Sequence, residues 1–150
     1  MNWLNIIVAS TNIAALAPIY ASKHDLLTCF AIILAASASF VSHLFETHKH
    51  GMFGFNCLPK NSFLLNRIDV LGAIFLACRV LFIVKEEILL QHSFLILFFC
   101  AICMLSEYDQ SAAKRNFFVV SHSIWHIGIF WVLYCLIEDN KIEYNLKNKQ

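Results

Sequence analysis

Apolar residues fall in five long runs separated by short polar stretches, at 3–20, 26–45, 63–84, 88–106 and 117–138. Each run is roughly 18 to 22 residues, about what a helix rising 1.5 Å per residue needs to cross a 30 Å hydrocarbon core. The pattern predicts an all-α chain, a polytopic membrane helix bundle with about five transmembrane helices. The remainder, 139–150, is charged and lacks an apolar face, so it reads as a frayed or disordered polar tail.

The first run has no Lys or Arg before it, and Pro18 directly follows the small-residue segment Ala15-Leu16-Ala17, so it reads as a retained helix and not a signal peptide. Asn5 and Asn12 within it suit hydrogen bonding between helices. The second run is rich in Ala and Ser (ILAASASFVSHLF), which permits close approach of a neighbouring backbone. A loop at 46–61 (ETHKHGMFGFNCLPKN) carries the Gly and Pro that end this helix, and its His48 and His50 read as solvated surface residues, with a lid or metal-recruiting role as the alternative. In the third run Arg67 and Asp69 stand near the start, and Arg79, near the end, suits snorkelling to the far surface.

Composition agrees with a membrane class: 59% hydrophobic and 14% charged residues lie far outside the soluble range. A net charge of +1 leaves no basic patch for nucleic acid. Five of the six cysteines, all but Cys57, sit inside apolar runs and read as small hydrophobes. Lys and Arg divide evenly between the two sides of the threaded bundle, so the positive-inside rule assigns no orientation.

The chemistry rests on the polar residues inside the runs. His122 and His126 are one helical turn apart on the same face, as two imidazoles must be to share a metal ion; packing glue between helices is the alternative. Threading the runs up and down puts Ser39, His43, Asp69, His122 and His126 on the amino-terminal side, within a band of roughly 3 to 14 Å below that surface. His24 and His92 fall on the opposite side. Three imidazoles from two helices suit a catalytic zinc with an open fourth position. No H-E-x-x-H glutamate is present, so a general base must come from another helix, and Asp69 is the candidate; a structural ion pair with Arg67 is its other explanation.

Ser39-x-x-x-His43, Asp69 within N-R-I-D-V-L-G, and His122-x-x-x-His126 within H-S-I-W-H resemble the signature of the CREST superfamily. That group holds the alkaline ceramidases, the progestin and adipoQ receptors, the GPI-anchor lipid-remodelling proteins and the myomaker group. The resemblance implies zinc (Zn2+) held by His43, His122 and His126, with Ser39 and Asp69 beside the catalytic water, and hydrolysis of a lipid amide or ester. Members of the superfamily usually have seven helices with the histidine pair on the seventh. Here the pair is on the fifth, and the loss of two helices together keeps the site on one side.

The expectation is therefore a zinc-dependent, multi-pass membrane hydrolase acting on a ceramide-like or other acyl lipid. A non-catalytic receptor-like or membrane-remodelling scaffold of the same superfamily is the alternative. A haem protein using membrane histidines is a third, and it leaves one histidine and Asp69 unexplained.

Overall fold

The computed structural model describes residues 3–47, 49–55 and 62–147; His48 and Cys57 lie outside them. The chain is an all-α bundle, with no strand among the described residues. Helix α1 (Trp3–Ser10) passes through a 3₁₀ turn (Thr11–Ala15) into α2 (Leu16–Ala21), and these three together form the first rod. Helices α3 (Leu26–Phe45), α4 (Ser62–Ile83), α5 (Glu86–Tyr108) and α6 (Arg115–Lys147) complete the five. Four helical segments, Trp3–Ala21, Leu26–Phe45, Glu86–Tyr108 and Ala112–Asn145, are long and apolar enough to cross a membrane. Helix α4 matches them in length at 22 residues but carries Arg67, Asp69 and Arg79.

The break in the first rod has a local cause. Pro18 has no N–H to give to the carbonyl of residue 14, and its ring crowds that carbonyl, so a straight α-ladder cannot run through this point. Just upstream, Ser10, Thr11 and Asn12 turn their side chains onto the carbonyls three residues back, at 2.8, 2.6 and 3.2 Å. Such side-chain bonds compete with regular helix and favour the tighter 3₁₀ winding.

The first rod lies between α3 and α6, α4 packs on the outer side of α3, and α5 packs on α6. Small residues permit two close approaches. Gly72 of α4 lies so near α3 that a Cβ there would stand 3.2 Å from the Ala35 Cα, so the Ala/Ser-rich second run makes its tight contact with α4. The Phe99 ring of α5 occupies the space that a Cβ on Gly128 of α6 would need. A core of Ile32, Val80, Val84, Phe130, Leu133 and Leu136 fills the half of the bundle away from the α3–α4 loop.

At that far end, polar partners clamp the helices. Arg79 does not snorkel freely: its Nη2 meets Asp25 Oδ2 at 2.7 Å and its Nε donates to Thr28 Oγ1 at 3.0 Å. The polar tail is not frayed over the described residues, because α6 continues to Lys147. Its extension finds partners at the α4–α5 turn: Asp139 pairs with His92 at 2.8 Å, Glu143 with Lys85 at 2.6 Å, and Asn140 Nδ2 donates to the Ile83 carbonyl at 3.2 Å. Extending an existing helix needs no new nucleus, so these contacts suffice to carry it past the apolar run.

Replacing Gly128 with Ala should force the Phe99 ring out of its place and lower stability by about 1–3 kcal/mol. Thermal unfolding of the purified protein in detergent measures it; an unchanged transition would mean that α5 and α6 do not pack through this pair.

Candidate metal centre

The opposite end brings together Ser39, His43, His122 and His126, four of the five residues that the sequence placed at one depth. His43 comes from the last turn of α3, and His122 and His126 from the first half of α6. All three are buried, and one ring nitrogen from each lies within 4.8 Å of the others. Ring centroids are 4.7 to 5.2 Å apart.

The tautomer of each ring follows from its hydrogen bonds. Thr11 Oγ1 gives its only proton to the Val8 carbonyl at 2.6 Å, so toward His126 Nδ1, 2.8 Å away, it can only accept. Ser106 Oγ gives its proton to the Cys103 carbonyl at 2.7 Å and likewise accepts from His122 Nδ1 at 3.0 Å. The Glu46 carboxylate accepts from His43 Nδ1 at 3.1 Å. With these oxygens accepting, each Nδ1 carries the proton and each Nε2 is left to bind a metal. The His43 Nε2 has no partner, and the His126 Nε2 has Ser39 Oγ at 3.3 Å.

Three buried imidazoles held this way fit a divalent transition metal. Metal-bound histidines characteristically donate their second nitrogen to a carboxylate or another fixed acceptor, which sets the ring and raises its basicity. All-imidazole donation suits zinc and its neighbours. Zinc bonds of about 2.0–2.1 Å would draw the nitrogens to about 3.4 Å apart, a closure on the order of 1 Å. The surrounding charge points the same way. Glu46 stands 3.1 Å from His43 Nδ1 and Glu107 3.7 Å from His122 Nδ1, so two carboxylates border the imidazoles.

Ser39 sits where the sequence placed it, buried against His126, and Asn12 Nδ2 donates to it at 3.3 Å. Asp69 is half-buried on α4 and makes no ion pair with Arg67 among the described residues. Arg67 instead lies over the Phe63 ring at 4.7 Å.

His50 departs from expectation. It is fully buried, not solvated, stacked on Phe118 at 4.1 Å, and Phe118 in turn lies 4.8 Å from the His122 ring. The backbone enforces this: His50 N–H donates to the Gln110 carbonyl, Arg115 Nε donates to the His50 carbonyl, both at 2.8 Å, and His50 itself takes φ 54°. Loss of hydration on burial pushes its pKa down, although Glu107 and Glu46 pull the other way. Through Phe118, whose buried cluster includes Met52, it roofs the His122 side of the centre. Lys49 ties the roof to α5 by a 2.7 Å bond to Glu107, which itself lies 3.7 Å from His122 Nδ1.

Sequence reasoning missed Glu46, Thr11 and Ser106. Glu46 had a signal, an acid one helical turn beyond His43. Thr11 and Ser106 had none, since hydroxyls in apolar runs are ordinary.

No protein-family model and no solved structure matches the chain. The uncharacterized protein L282 of Acanthamoeba polyphaga mimivirus is 32% identical over 149 aligned residues, covering 90% of this chain and 97% of the viral protein. The chain belongs to the L282 family.

If the hydroxyl and carboxylate partners hold the tautomers, Thr11→Val and Glu46→Ala should each weaken zinc binding by roughly 10- to 100-fold. Thr11→Ser, which keeps the acceptor, should restore affinity. Competition with a zinc chelator of known affinity reads this directly; wild-type affinity in Thr11→Val would remove Thr11 from the centre.

Proposed function

We propose that this is a multi-pass integral membrane protein and a zinc-dependent hydrolase that cleaves an amide or ester bond of a membrane lipid. The observation that carries the reading is the buried trio His43, His122 and His126, each offering a ring nitrogen within 4.8 Å of the others while an oxygen partner stands at each Nδ1. Support for the membrane comes from the four long apolar helical segments and from the large apolar side chains exposed along them, such as Leu26, Phe94 and Met104. The resemblance to the CREST signature supplies the lipid and the bond type.

When bound, zinc supplies Lewis acidity toward an acyl carbonyl and lowers the pKa of a water to about 7. The chain supplies the rest. Ser39, fixed by Asn12, donates its hydroxyl proton to the acyl oxygen as that oxygen gains charge. Asp69 takes the proton of the attacking water and returns it to the leaving amine or alcohol. Phe118, Met52 and His50 exclude bulk water, which strengthens each of these interactions.

The same roof favours a second reading. Met52, His50 and Phe118 are fully buried over the histidines, and a centre so closed suits a metal that only holds α3 to α6 in a non-catalytic scaffold. Four variants separate the two. Asp69→Asn should keep zinc and lose roughly 100- to 10,000-fold in acyl release from lipid vesicles. His122→Ala and His126→Ala should lose zinc as well as activity, while His92→Ala should change neither. Undiminished turnover in Asp69→Asn would remove the base, and a zinc-loaded protein that releases no acyl chain from amide- or ester-linked lipids would leave the scaffold.

A further inference from the structure

The loop that roofs the centre is held in an uncommon turn. His50 and Gly51 both take positive φ, 54° and 57°, and Met52 N–H closes the turn onto the Lys49 carbonyl at 3.0 Å. Glycine adopts that region freely, whereas a residue with a side chain is uncommon there. The turn sits hard on α6: a Cβ on Gly51 would stand 2.7 Å from Arg115 Nη2. Lys49 binds Glu107 at 2.7 Å, and the His50 N–H and carbonyl are held by Gln110 and Arg115, both at 2.8 Å.

The His50 side chain is the exception to this pairing. Its ring is fully buried and stacked on Phe118, and neither ring nitrogen has a hydrogen-bond partner; the Ser111 backbone stands beside it without completing a bond. A neutral imidazole fits such a place as an aromatic plate. An imidazolium does not, because its charge and its two N–H donors all need acceptors or water. Around the ring stand Glu46 at the end of α3, Glu107 and Asp109 at the end of α5, Lys49 in the loop itself, and Arg115 on α6, with His122 beyond Phe118. The first helix, Trp3–Ser10, brings no charged group, and α4 reaches the roof through the uncharged Asn66, whose Oδ1 lies 3.5 Å from Lys49 Nζ. The carboxylates favour a proton on His50, but the loss of hydration outweighs them and pushes its pKa down.

We propose that His50 is a proton-operated latch of the roof over the histidine centre: neutral, it stacks on Phe118 and the roof is shut; protonated, it leaves for water and takes the turn at 49–52 with it. The shut form holds no proton on His50, and the open form holds one with the ordinary imidazole value of about 6.5. Lowering the pH below that value therefore favours opening, by about tenfold for each unit, until the depressed value of the shut form is reached. Release from φ 54° adds to the same tendency. Acid thereby uncovers Phe118 and admits water, with any cation it carries, to the His122 side of the centre. The inference concerns access to that centre and rests on the metal reading only for what enters.

Hydrogen exchange read by mass spectrometry, on the full chain in phosphatidylcholine nanodiscs and with intrinsic exchange rates divided out, tests this between about pH 7.5 and about pH 5. The amides of His50, Met52, Gly54 and Phe55, all hydrogen-bonded in the shut roof, should lose protection about tenfold per pH unit below about 6.5, while the far-end amides of Ser22, Cys29 and Val84 keep theirs. In His50→Asn, whose side chain also tolerates positive φ, and in His50→Phe, which keeps the stack, roof protection should not change with pH. Far-end protection shows that each variant is folded. The latch would be overturned by protection that stays level in the unmodified protein, by an acid loss that persists in either folded variant, or by a far end that opens together with the roof. Neither metal content nor lipid turnover enters the readout, so a chain that binds no zinc or cleaves no lipid leaves the test intact.

Discussion

Three imidazoles buried together, with the His43 Nε2 unpaired, are an unfavourable arrangement without a cation, and the rest of the molecule makes sense as what imposes it. A histidine free to choose would put a proton on one Nε2 and donate it to a neighbour. Here that choice is removed from outside the centre. Thr11 and Ser106 have spent their protons on helix carbonyls, and Glu46 has none to give while ionised, so each Nδ1 must be the protonated nitrogen. The unpaired His43 Nε2 alone is a buried acceptor of the kind that costs about 1–3 kcal/mol, a sizeable share of the stability of a small bundle.

This demand explains features that otherwise look unrelated. The 3₁₀ turn in the first rod spoils regular helix, yet it brings Thr11 to His126 and Asn12 to Ser39. Asn5 Nδ2 donates to the carbonyls of His43 and Glu46, at 2.8 and 3.1 Å, and so fixes the end of α3 where His43 and its carboxylate partner follow each other. The roof folds back on that same end through Gly54 N–H to the Glu46 carbonyl and Phe55 N–H to the Leu44 carbonyl, both at 3.0 Å. A side chain at Gly54 would collide with the Leu44 carbonyl, 2.6 Å from its Cβ, so the close return requires glycine. Clamps at the far end hold helix ends together: Arg79 to Asp25 for α3 and α4, and His92 to Asp139 for α5 and α6.

Much of this was legible in the sequence because a bilayer-length helix leaves few options. Run length gave the helices to within a few residues except at the carboxyl end of α6, and up-and-down threading alone put His43 with His122 and His126 and sent His92 to the other end. What stayed hidden depends on contacts that no local pattern encodes. His50 looks like any polar loop residue until the loop is seen pinned to Gln110 and Arg115. The charged tail looks unstructured until Lys85, His92 and the Ile83 carbonyl are seen waiting for it. Thr11 is ordinary until Pro18 and the 3₁₀ turn rotate it inward, and Glu46 was assigned to a loop because the apolar run stops one residue before it.

The most direct test of the metal centre is X-ray absorption at the zinc edge on protein purified without added chelator. The account predicts one zinc per chain, with three imidazole nitrogens at about 2.0–2.1 Å and a single further oxygen. Sulfur scattering from a cysteine, a site that persists after His43→Ala, or a stable protein with no bound metal would contradict it.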